Sequence, residues 1–528
     1  MDLCNYVERA EAESLNPVRP SNVNGQAFWN HYASRFMYAP AFDFFPVDGA
    51  AKYRYTVTDR MGRKYEFEAD VPHAPLSPVW SRIPAGRANV AVDAFDAAGK
   101  HLGRCRINNG QTGKPMQERP DSFNFYRNVP FCNGYPPKTR SYAEASKKGL
   151  EYIFNLSYVQ YLKCGKPDPA YTFSCYPSKI LSAIFAAMAD YAEAVPEKRE
   201  EALDIARKAA DYLIGKAVPA GEPLEYLPMT YEGSENAAER CAGTIMMLYP
   251  ASVGMRMVRL AEVTGDGKYL EYAARIADQY LRLQQPCGSW YLVYRIESGT
   301  NQVQNFCEPT GIFLFLQRMA EKTGNTAYSD AVAKGVPYYR RMIDTFNWEG
   351  QFEDVPPAEC MYCNLSKHMA ADPMMFLLKW NQGDARTAAE AREAIRFCED
   401  QFIVWEQAGW IGTDGQWTDN DMQNDCWGWF TFHTPAVLEQ YRYYTPVDAS
   451  LAKMIHFYLS MFDAEKDPMD LAKARALGDS LTRLQNPATG HIPTSFGLEK
   501  ERERDWVNCT YASILALKRL AEYEAYRA

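Results

Sequence analysis

Residues 267–286, GKYLEYAARIADQYLRLQQP, carry the pattern that decides the fold. Apolar residues recur there at the spacing of one helical face, and charged residues occupy the opposite face, which predicts a helix with one buried side. The apolar stripe consists of Leu270, Ala273, Ile276, Ala277, Tyr280 and Leu281. A second stripe with charges opposite it consists of Ala202, Ile205, Ala206, Ala209, Tyr212 and Leu213. Both stretches predict helices with a solvent-facing side.

Other helical segments have few charges, such as 177–192, PSKILSAIFAAMADYA, which predicts burial on most sides. The charged (outer) and apolar (inner) kinds alternate from residue 140 onward and predict twelve helices in six pairs. We expect outer helices near 141–160, 197–217, 267–285, 327–345, 383–404 and 467–485. We expect inner helices near 177–193, 249–263, 308–321, 368–381, 449–463 and 508–525.

An internal repeat supports this pairing. RLQQP at 282–286 recurs as RLQNP at 483–487, and RMAE at 318–321 recurs as RLAE at 519–522. Both recurrences have the same offset of 201 residues. A shared offset indicates that a loop and its following inner helix repeat as one unit.

The links between the predicted helices are unequal in length. Most inner-to-outer links are short, whereas the outer-to-inner links are long: 161–176, 218–248, 286–307, 346–367, 405–447 and 486–507. In a ring of antiparallel hairpins, all the long links fall on the rim where inner helices begin. Helix N-termini carry free N–H groups and partial positive charge. We therefore expect this rim to bind an anionic or polyhydroxylated ligand.

The longest link contains residues 405–433, WEQAGWIGTDGQWTDNDMQNDCWGWFTFH. Five tryptophans and four aspartates occur in it, without a helical or strand period. A long loop inside a compact domain is usually functional or disordered, and disordered segments are poor in aromatic residues. Tryptophans stack on the apolar faces of sugar rings, and carboxylates bind hydroxyls or move protons. The loop therefore indicates a carbohydrate site, with a well-packed structural loop as the alternative.

The N-terminal part has a different period. Alternating stretches at 53–57, 65–69 and 90–95 predict short strands separated by turns. We predict a lead-in segment at 1–40, a small β-sandwich at 41–108 and a connector at 109–139. The helical region, 140–528, would then be the catalytic domain.

The net charge and the distribution of apolar residues argue against several classes of function. The 528-residue chain has a formal net charge of −9 and no basic block, so nucleic acid is not an expected partner. No apolar run reaches the roughly 18 residues of a membrane span. The first residues, MDLCNYVERAEAES, lack a signal-peptide core, which predicts a cytoplasmic protein, or a periplasmic one if a leader was removed. The sequence leaves open whether the protein forms a homodimer.

We expect no metal and no cofactor. Cys360 and Cys363 have C-x-x-C spacing without a second pair nearby, which argues against a zinc site. Asp419 and Asp421 begin like a calcium loop, but the glycine at position six and the distal glutamate are missing. The thirteen scattered cysteines are typical of a reduced protein with buried thiols.

The six-pair pattern over 140–525 resembles the (α/α)6-toroid, six-hairpin glycosidase superfamily. An N-terminal β-sandwich before such a toroid also occurs among carbohydrate-active enzymes. Within the superfamily the chain resembles the exo-acting glucuronidases, such as glycoside hydrolase family 154, and the unsaturated uronyl hydrolases. The Asp-Ala-Gly-Asp motif of cellulases that pair an Ig-like domain with a toroid is missing, which argues against cellulase activity. The resemblance implies a glycoside hydrolase that removes a terminal sugar, in particular a uronic acid, from an oligosaccharide.

The chemistry of that superfamily needs two carboxyl groups that flank a glycosidic bond. The candidates on the long-link rim are Glu308, Glu353, Asp419 and Asp421. Arg240 and Arg295 are candidates to bind a uronate carboxylate as bidentate donors. Candidates to contact the sugar are His368, His433, Trp290, Trp410, Trp417 and Trp506. Helix capping by Glu308, satisfied core histidines and core tryptophans are the structural alternatives.

Two other functions stay open on the same fold. A polysaccharide lyase or uronyl epimerase would abstract a proton, and Tyr231, Tyr294 and His368 would be the groups for that step. A non-catalytic carbohydrate-binding protein would keep the aromatic residues without a close carboxyl pair.

Overall fold

The computed structural model describes residues 4–18, 33–108, 115–132, 134–357, 362–406, 433–441, 443–495 and 505–526. Helices dominate these residues, so the fold is mainly α, as the sequence pattern predicts. The helices are α1 Cys4–Ser14, α2 Ser77–Trp80, α3 Tyr142–Asn155, α4 Ser157–Tyr161, α5 Pro177–Ala194, α6 Arg199–Lys216, α7 Leu248–Thr264, α8 Gly267–Leu283, α9 Thr310–Thr323, α10 Thr326–Gly335, α11 Tyr338–Thr345, α12 Lys367–Trp380, α13 Ala385–Phe402, α14 Asp448–Glu465, α15 Pro468–Leu484 and α16 Val507–Ala521. Across the described ranges, no helix has the length and apolarity that a membrane crossing requires.

Every predicted inner and outer helix coincides with a helix of the structure. The first outer helix is divided at Leu156 into α3 and α4, and the fourth is divided into α10 and α11, with Pro337 at the break. The inner helices are α5, α7, α9, α12, α14 and α16, and they contact one another in that order, with α16 returning to α5. Five inner helices pack against the outer helix that follows them in the chain, whereas α16 packs against α3. The described helices therefore form a closed ring of inner helices with outer helices around it.

Two of the short links have the same construction. Gly265 adopts a left-handed φ of 72° and ends α7, and the Asp266 side chain then accepts the Lys268 backbone N–H to begin α8. Gly324, also at φ 72°, and Asn325 repeat this arrangement between α9 and α10. A glycine end followed by an Asx cap turns the chain within three residues. These links set each outer helix antiparallel to its inner helix.

The N-terminal strands form one six-stranded sheet. They are β1 Arg35–Phe36, β2 Lys52–Asp59, β3 Lys64–Ala69, β4 Gly86–Phe95, β5 His101–Arg104 and β6 Ser122–Arg127. Their order is β1-β6-β4-β2-β3, and β5 also pairs with β4. In β2, buried Tyr53, Tyr55 and Val57 alternate with more exposed residues, as a period of two predicts. The strands β1 to β6 thus join into a single sheet. The β-sandwich and the domain boundaries stay predictions.

The sheet region is attached to the ring through buried polar contacts. The Asp400 carboxylate, near the end of α13, accepts the backbone N–H groups of Met37 and Tyr38 at 2.6 and 2.7 Å. Gln401 donates to the carbonyl of Arg35 at 2.9 Å. These contacts hold the segment beside β1 against α13.

The remaining strands lie in the long links. They are β7 Thr244–Met246, β8 Val293–Arg295, β9 Ile403–Val404, β10 Ala436–Gln440 and β11 Tyr443–Pro446. β7 pairs with β8, and β10 pairs with both β9 and β11. The β7–β8 pair therefore fastens two neighbouring long links to each other, whereas β9, β10 and β11 pair within the single link between α13 and α14.

Candidate active site

The first two turns of five inner helices carry polar side chains in otherwise apolar sequence. Lys179, Tyr249 and Thr310 lie near the starts of α5, α7 and α9. His368 lies at the start of α12, and Lys453 lies in the second turn of α14. The contacts described below join these groups to carboxylates from the long links and from α12. Together they form a polar centre at the N-terminal ends of the inner helices.

Glu353 anchors one side of this centre. Its carboxylate accepts short hydrogen bonds from the Lys179 ammonium and the Tyr249 hydroxyl, and only 1% of its side chain is exposed. The Tyr231 hydroxyl donates to its backbone carbonyl at 3.0 Å. Burial acts to raise the pKa of Glu353, but Lys179 and the hydrogen bonds outweigh burial and hold that pKa below its ordinary value. Glu353 is therefore an ionised carboxylate at neutral pH.

Lys179 connects Glu353 to an aromatic wall. Its Nζ lies 4.0 Å from the ring centroid of Trp506, which gives a cation–π contact. Trp506 stacks on Phe173 at 3.9 Å and lies 5.6 Å from Tyr176. The Lys179 side chain keeps 21% of its surface exposed, whereas its partner Glu353 is covered. The exposed surface of this pair therefore belongs to the Lys179 side chain and not to Glu353.

Glu308 has the opposite protonation state. Its Oε1 accepts the Thr310 backbone N–H at 2.9 Å and the Thr310 hydroxyl, so the side chain caps the start of α9. Burial, followed by the neighbouring Asp372 carboxylate, raises the pKa of Glu308 to about 8. A carboxyl group with this pKa holds its proton at neutral pH and can donate it. The backbone N–H of Glu308 donates to Gln351 at 2.9 Å, which ties it to the link that carries Glu353.

Asp372 and Lys453 form the accessible side of the centre. They make an ion pair at 2.5 Å across α12 and α14, and each side chain is 23% exposed. His368 is half-buried beside them. Burial and the positive charges of Lys367, Lys453 and Lys179 lower the pKa of His368 well below its ordinary value. His368 is therefore a neutral imidazole that can exchange hydrogen bonds with hydroxyl groups.

The other predicted site residues are distributed differently. Arg240 is exposed and donates to the backbone carbonyl of Asp354, and Arg295 is exposed at the end of β8. Trp290 is fully buried, and its indole N–H donates to the Tyr280 carbonyl at 2.8 Å, so its surface is covered by protein. His433 is exposed. Asp419, Asp421, Trp410 and Trp417 lie outside the described residues.

The structure thus brings Glu308, Glu353, His368 and Trp506 into one neighbourhood. Lys179, Asp372 and Lys453 belong to the same neighbourhood. The sequence did not predict them as site residues, because the candidates came only from the long links and the residues next to them. A usable signal was present, since each of these charges lies in the first two turns of an apolar inner helix. A charge in such a position is costly unless it has a partner.

No protein-family profile matches the sequence, and no curated protein matches it. Among solved structures, a sugar epimerase from a ruminal bacterium aligns with a TM-score of 0.48 at 11% identity, over 71% of this chain and 98% of its own. A family 76 glycoside hydrolase from a bovine Bacteroides thetaiotaomicron strain aligns with a TM-score of 0.43 at 9% identity, over 90% and 96%. An unsaturated glucuronyl hydrolase specific for heparin aligns with a TM-score of 0.43 at 11% identity, over 72% and 97%. Similarity at this level carries no argument about the activity of this chain.

Proposed function

We propose that this protein is a glycoside hydrolase in which Glu308 is the general acid. The observation that carries the proposal is a buried carboxyl group beside a second carboxylate, with its pKa raised to about 8. Glycoside hydrolysis needs one protonated carboxyl group to protonate the leaving oxygen and one ionised carboxylate. Glu308 has the properties of the first.

The ionised partner that faces the substrate is Asp372 in this proposal. Asp372 is near enough to Glu308 to affect its pKa, and its side chain is more exposed than that of Glu353. Glu353, which the sequence offered as a catalytic carboxylate, instead holds the Lys179 ammonium in place. Asp419 and Asp421 remain the alternative partners from the long link.

The proposed substrate end is a uronic acid. Three ammonium groups act on His368, and two of them, those of Lys179 and Lys453, are proposed to bind a substrate carboxylate beside their partners Glu353 and Asp372. Trp506 offers an aromatic surface next to Lys179, and neutral His368 offers hydrogen bonds to ring hydroxyls. Arg240 and Arg295 are exposed and are proposed to guide the acidic end toward the centre.

We assign the ring of inner and outer helices to the (α/α)6 toroid. Two observations support this assignment. The inner helices contact one another in chain order, with the last contacting the first, and each inner helix packs against an outer helix. In this arrangement the helix N-termini surround the polar centre and favour negative charge there.

A lyase or epimerase is less well supported by the same groups. Burial raises the pKa of Tyr294 to about 12 and also raises that of Tyr231, which opposes a tyrosinate base. The lowered pKa of His368 makes it a weak base. These groups are thus weak bases for abstracting a proton from a sugar carbon, whereas Glu308 holds a proton that it can donate.

The test compares Glu308→Gln and Asp372→Asn with Glu297→Gln, an exposed carboxylate upstream in the same link as Glu308. With an aryl glucuronide, we expect each of the first two variants to lose roughly 10²–10⁴ in kcat and the third to keep parental kcat. The Glu308→Gln loss should shrink with a dinitrophenyl leaving group, which departs without protonation. Parental activity should fall as pH rises through about 8, where Glu308 loses its proton.

Three results would overturn the proposal. The first is parental turnover by both variants at matched melting temperature. The second is a product with the absorbance of an unsaturated uronate, which would identify a lyase. The third is no release of sugar from glucuronides or from the matched glucosides.

A further inference from the structure

A cleft beside the polar centre has no role in the proposed reaction. It has a volume of about 430 Å³ and is lined by Tyr152, Tyr158, Tyr171, His491, Asp168 and Asp505. This volume lies within the roughly 300–1,000 Å³ that is typical of ligand sites. A second hollow of about 370 Å³ shares Tyr152 and Leu156 with it, so the two hollows are neighbours. The cleft lies between the end of α3 and the two links that precede α5 and α16.

The walls of the cleft are held in place by their own contacts. Tyr158 and Tyr171 stack in parallel at 3.8 Å, and Tyr152 stacks on His491 at 4.8 Å. His491 is paired with the Asp505 carboxylate, which also accepts the Thr494 backbone N–H at 3.0 Å. The Tyr171 hydroxyl donates to the Asp505 carbonyl at 2.9 Å. The aromatic surfaces are therefore fixed before any ligand arrives, which lowers the entropic cost of binding.

A continuous aromatic wall joins the cleft to the polar centre. The ring of Tyr171 contacts that of Phe173 at 5.8 Å, and Phe173 stacks on Trp506, which lies under Lys179. Asp505 lines the cleft, and the next residue, Trp506, lines the centre. A chain of sugar units with its terminal unit at the centre would therefore meet the cleft.

We propose that this cleft binds neutral sugar residues of the same glycan, on the leaving-group side of the cleaved bond. Tyrosine faces fit the apolar faces of sugar rings, and the carboxylates of Asp168 and Asp505 accept hydrogen bonds from hydroxyls. The same two carboxylates repel an acidic sugar, so the cleft selects neutral units next to the acidic terminal one. The leaving-group assignment rests on the proposed function, whereas the binding of neutral sugar does not.

Binding is measured on the full chain without turnover. The probes are β-1,4-linked hexasaccharides of glucose, xylose, mannose and N-acetylglucosamine, titrated by calorimetry. The variants are Tyr158→Ala, which removes one stacking surface, and Ser157→Trp, which fills the cleft from an exposed position. Tyr161→Ala is the matched control, because this tyrosine is 38% exposed on the same short helix and does not line the cleft.

We expect at least one probe to bind the parent and Tyr161→Ala equally. Tyr158→Ala should weaken that binding roughly two- to tenfold, the range of one aromatic contact of about 0.5–1.5 kcal/mol. Ser157→Trp should weaken it at least as much while melting like the parent. If no probe binds the parent, or if Ser157→Trp binds as the parent does, the inference is overturned.

The outcome is separable from that of the proposed function. Compared with the parent, Ser157→Trp should have a higher KM for a glucuronide with a long neutral chain and the same KM for an aryl glucuronide. Glu308→Gln should lower kcat by roughly 10²–10⁴ and leave hexasaccharide binding unchanged. Retained turnover in Glu308→Gln with weakened binding in Ser157→Trp would refute the catalytic assignment alone.

Discussion

Asp400 shows how a single buried carboxyl group joins two parts of the chain and makes their contact sensitive to pH. It is completely buried and accepts two backbone N–H groups from the segment beside β1. Burial raises its pKa to about 7 despite those hydrogen bonds. The unfolded chain would release this proton near pH 3.9, the ordinary value for aspartate. Between these two pH values, the native state holds a proton that the unfolded state has lost.

The contribution of Asp400 to stability should therefore fall as pH rises from about 4 to about 7, by at most about 4 kcal/mol, and should stay constant above that range. Asp400→Asn removes the titration and should flatten this slope, whatever its constant effect on stability. The measurement is the free energy of unfolding in denaturant at several values of pH. Asp330→Asn, at an exposed aspartate, is the control and should keep the parental slope. Equal slopes for Asp400→Asn and the parent would contradict the argument.

The Lys179–Glu353 pair provides a second prediction at the same scale. Lys179→Met leaves the covered Glu353 carboxylate without its cation and should destabilise the protein by about 3 kcal/mol. Adding Glu353→Gln removes the uncompensated charge, so the double variant should be more stable than Lys179→Met alone. Lys52→Met, in an exposed pair with Glu68, should cost less than about 1 kcal/mol. A double variant no more stable than Lys179→Met would show that charge compensation is not the cause.

Part of the polar centre was predictable at the residue scale. Glu308 and Trp506 were identifiable because each stands at the junction of a long link and an inner helix. The raised pKa of Glu308 was not predictable, because it depends on burial in the folded chain and on Asp372, which is 64 positions later in the sequence. Trp290 has the same sequence context as a binding tryptophan, and only the structure shows that its side chain is fully buried and that its indole N–H donates to the Tyr280 carbonyl.

At the scale of elements, the inner helices approach one another closely where a glycine faces an aromatic ring. A Cβ atom on Gly254 of α7 would lie 2.3 Å from the Phe315 ring of α9. The sequence predicted both helices from their periods but not this close approach, since Gly254 has no pattern of its own. Short strands such as β7 and β8 were also missed, because three residues are too few to show alternation.

Gly254→Ala should therefore destabilise the protein, although alanine normally favours a helix by about 1 kcal/mol over glycine. Overlap with Phe315 should cost roughly 1–3 kcal/mol and exceed that gain. Gly215→Ala in α6 is the matched control, because no atom lies within 4 Å of its added methyl group. We expect Gly215→Ala to leave the melting temperature unchanged or raise it, and Gly254→Ala to lower it. Equal shifts for both variants would show that α7 can move away from α9.

At the scale of the whole molecule, the ring is closed by helices from opposite ends of the helical region. Helix α16 packs against α3 and α5, and Gly149 of α3 gives room for Ile514 of α16. The same end is fastened by an ion pair between Lys138 and Glu524. The alternating short and long links predicted six helix pairs, and the contact of α16 with α3 pairs the last inner helix with the first outer helix.

A chain that ends at residue 506 should therefore lose its cooperative melting transition and bind a hydrophobic dye. Without α16, the buried faces of α3, α5 and α14 would be exposed to water, including the surface that Leu517 and Leu520 now cover. A chain that ends at residue 523 keeps α16 and loses the ion pair of Glu524 and the contacts of Tyr526 with Arg475 and Phe462, so it should melt within a few degrees of the parent. Thermal melts followed by circular dichroism at the helical band compare the two. If the shorter chain melts as cooperatively as the longer one, the ring does not depend on its last helix, and the hairpins would be stable as separate pairs.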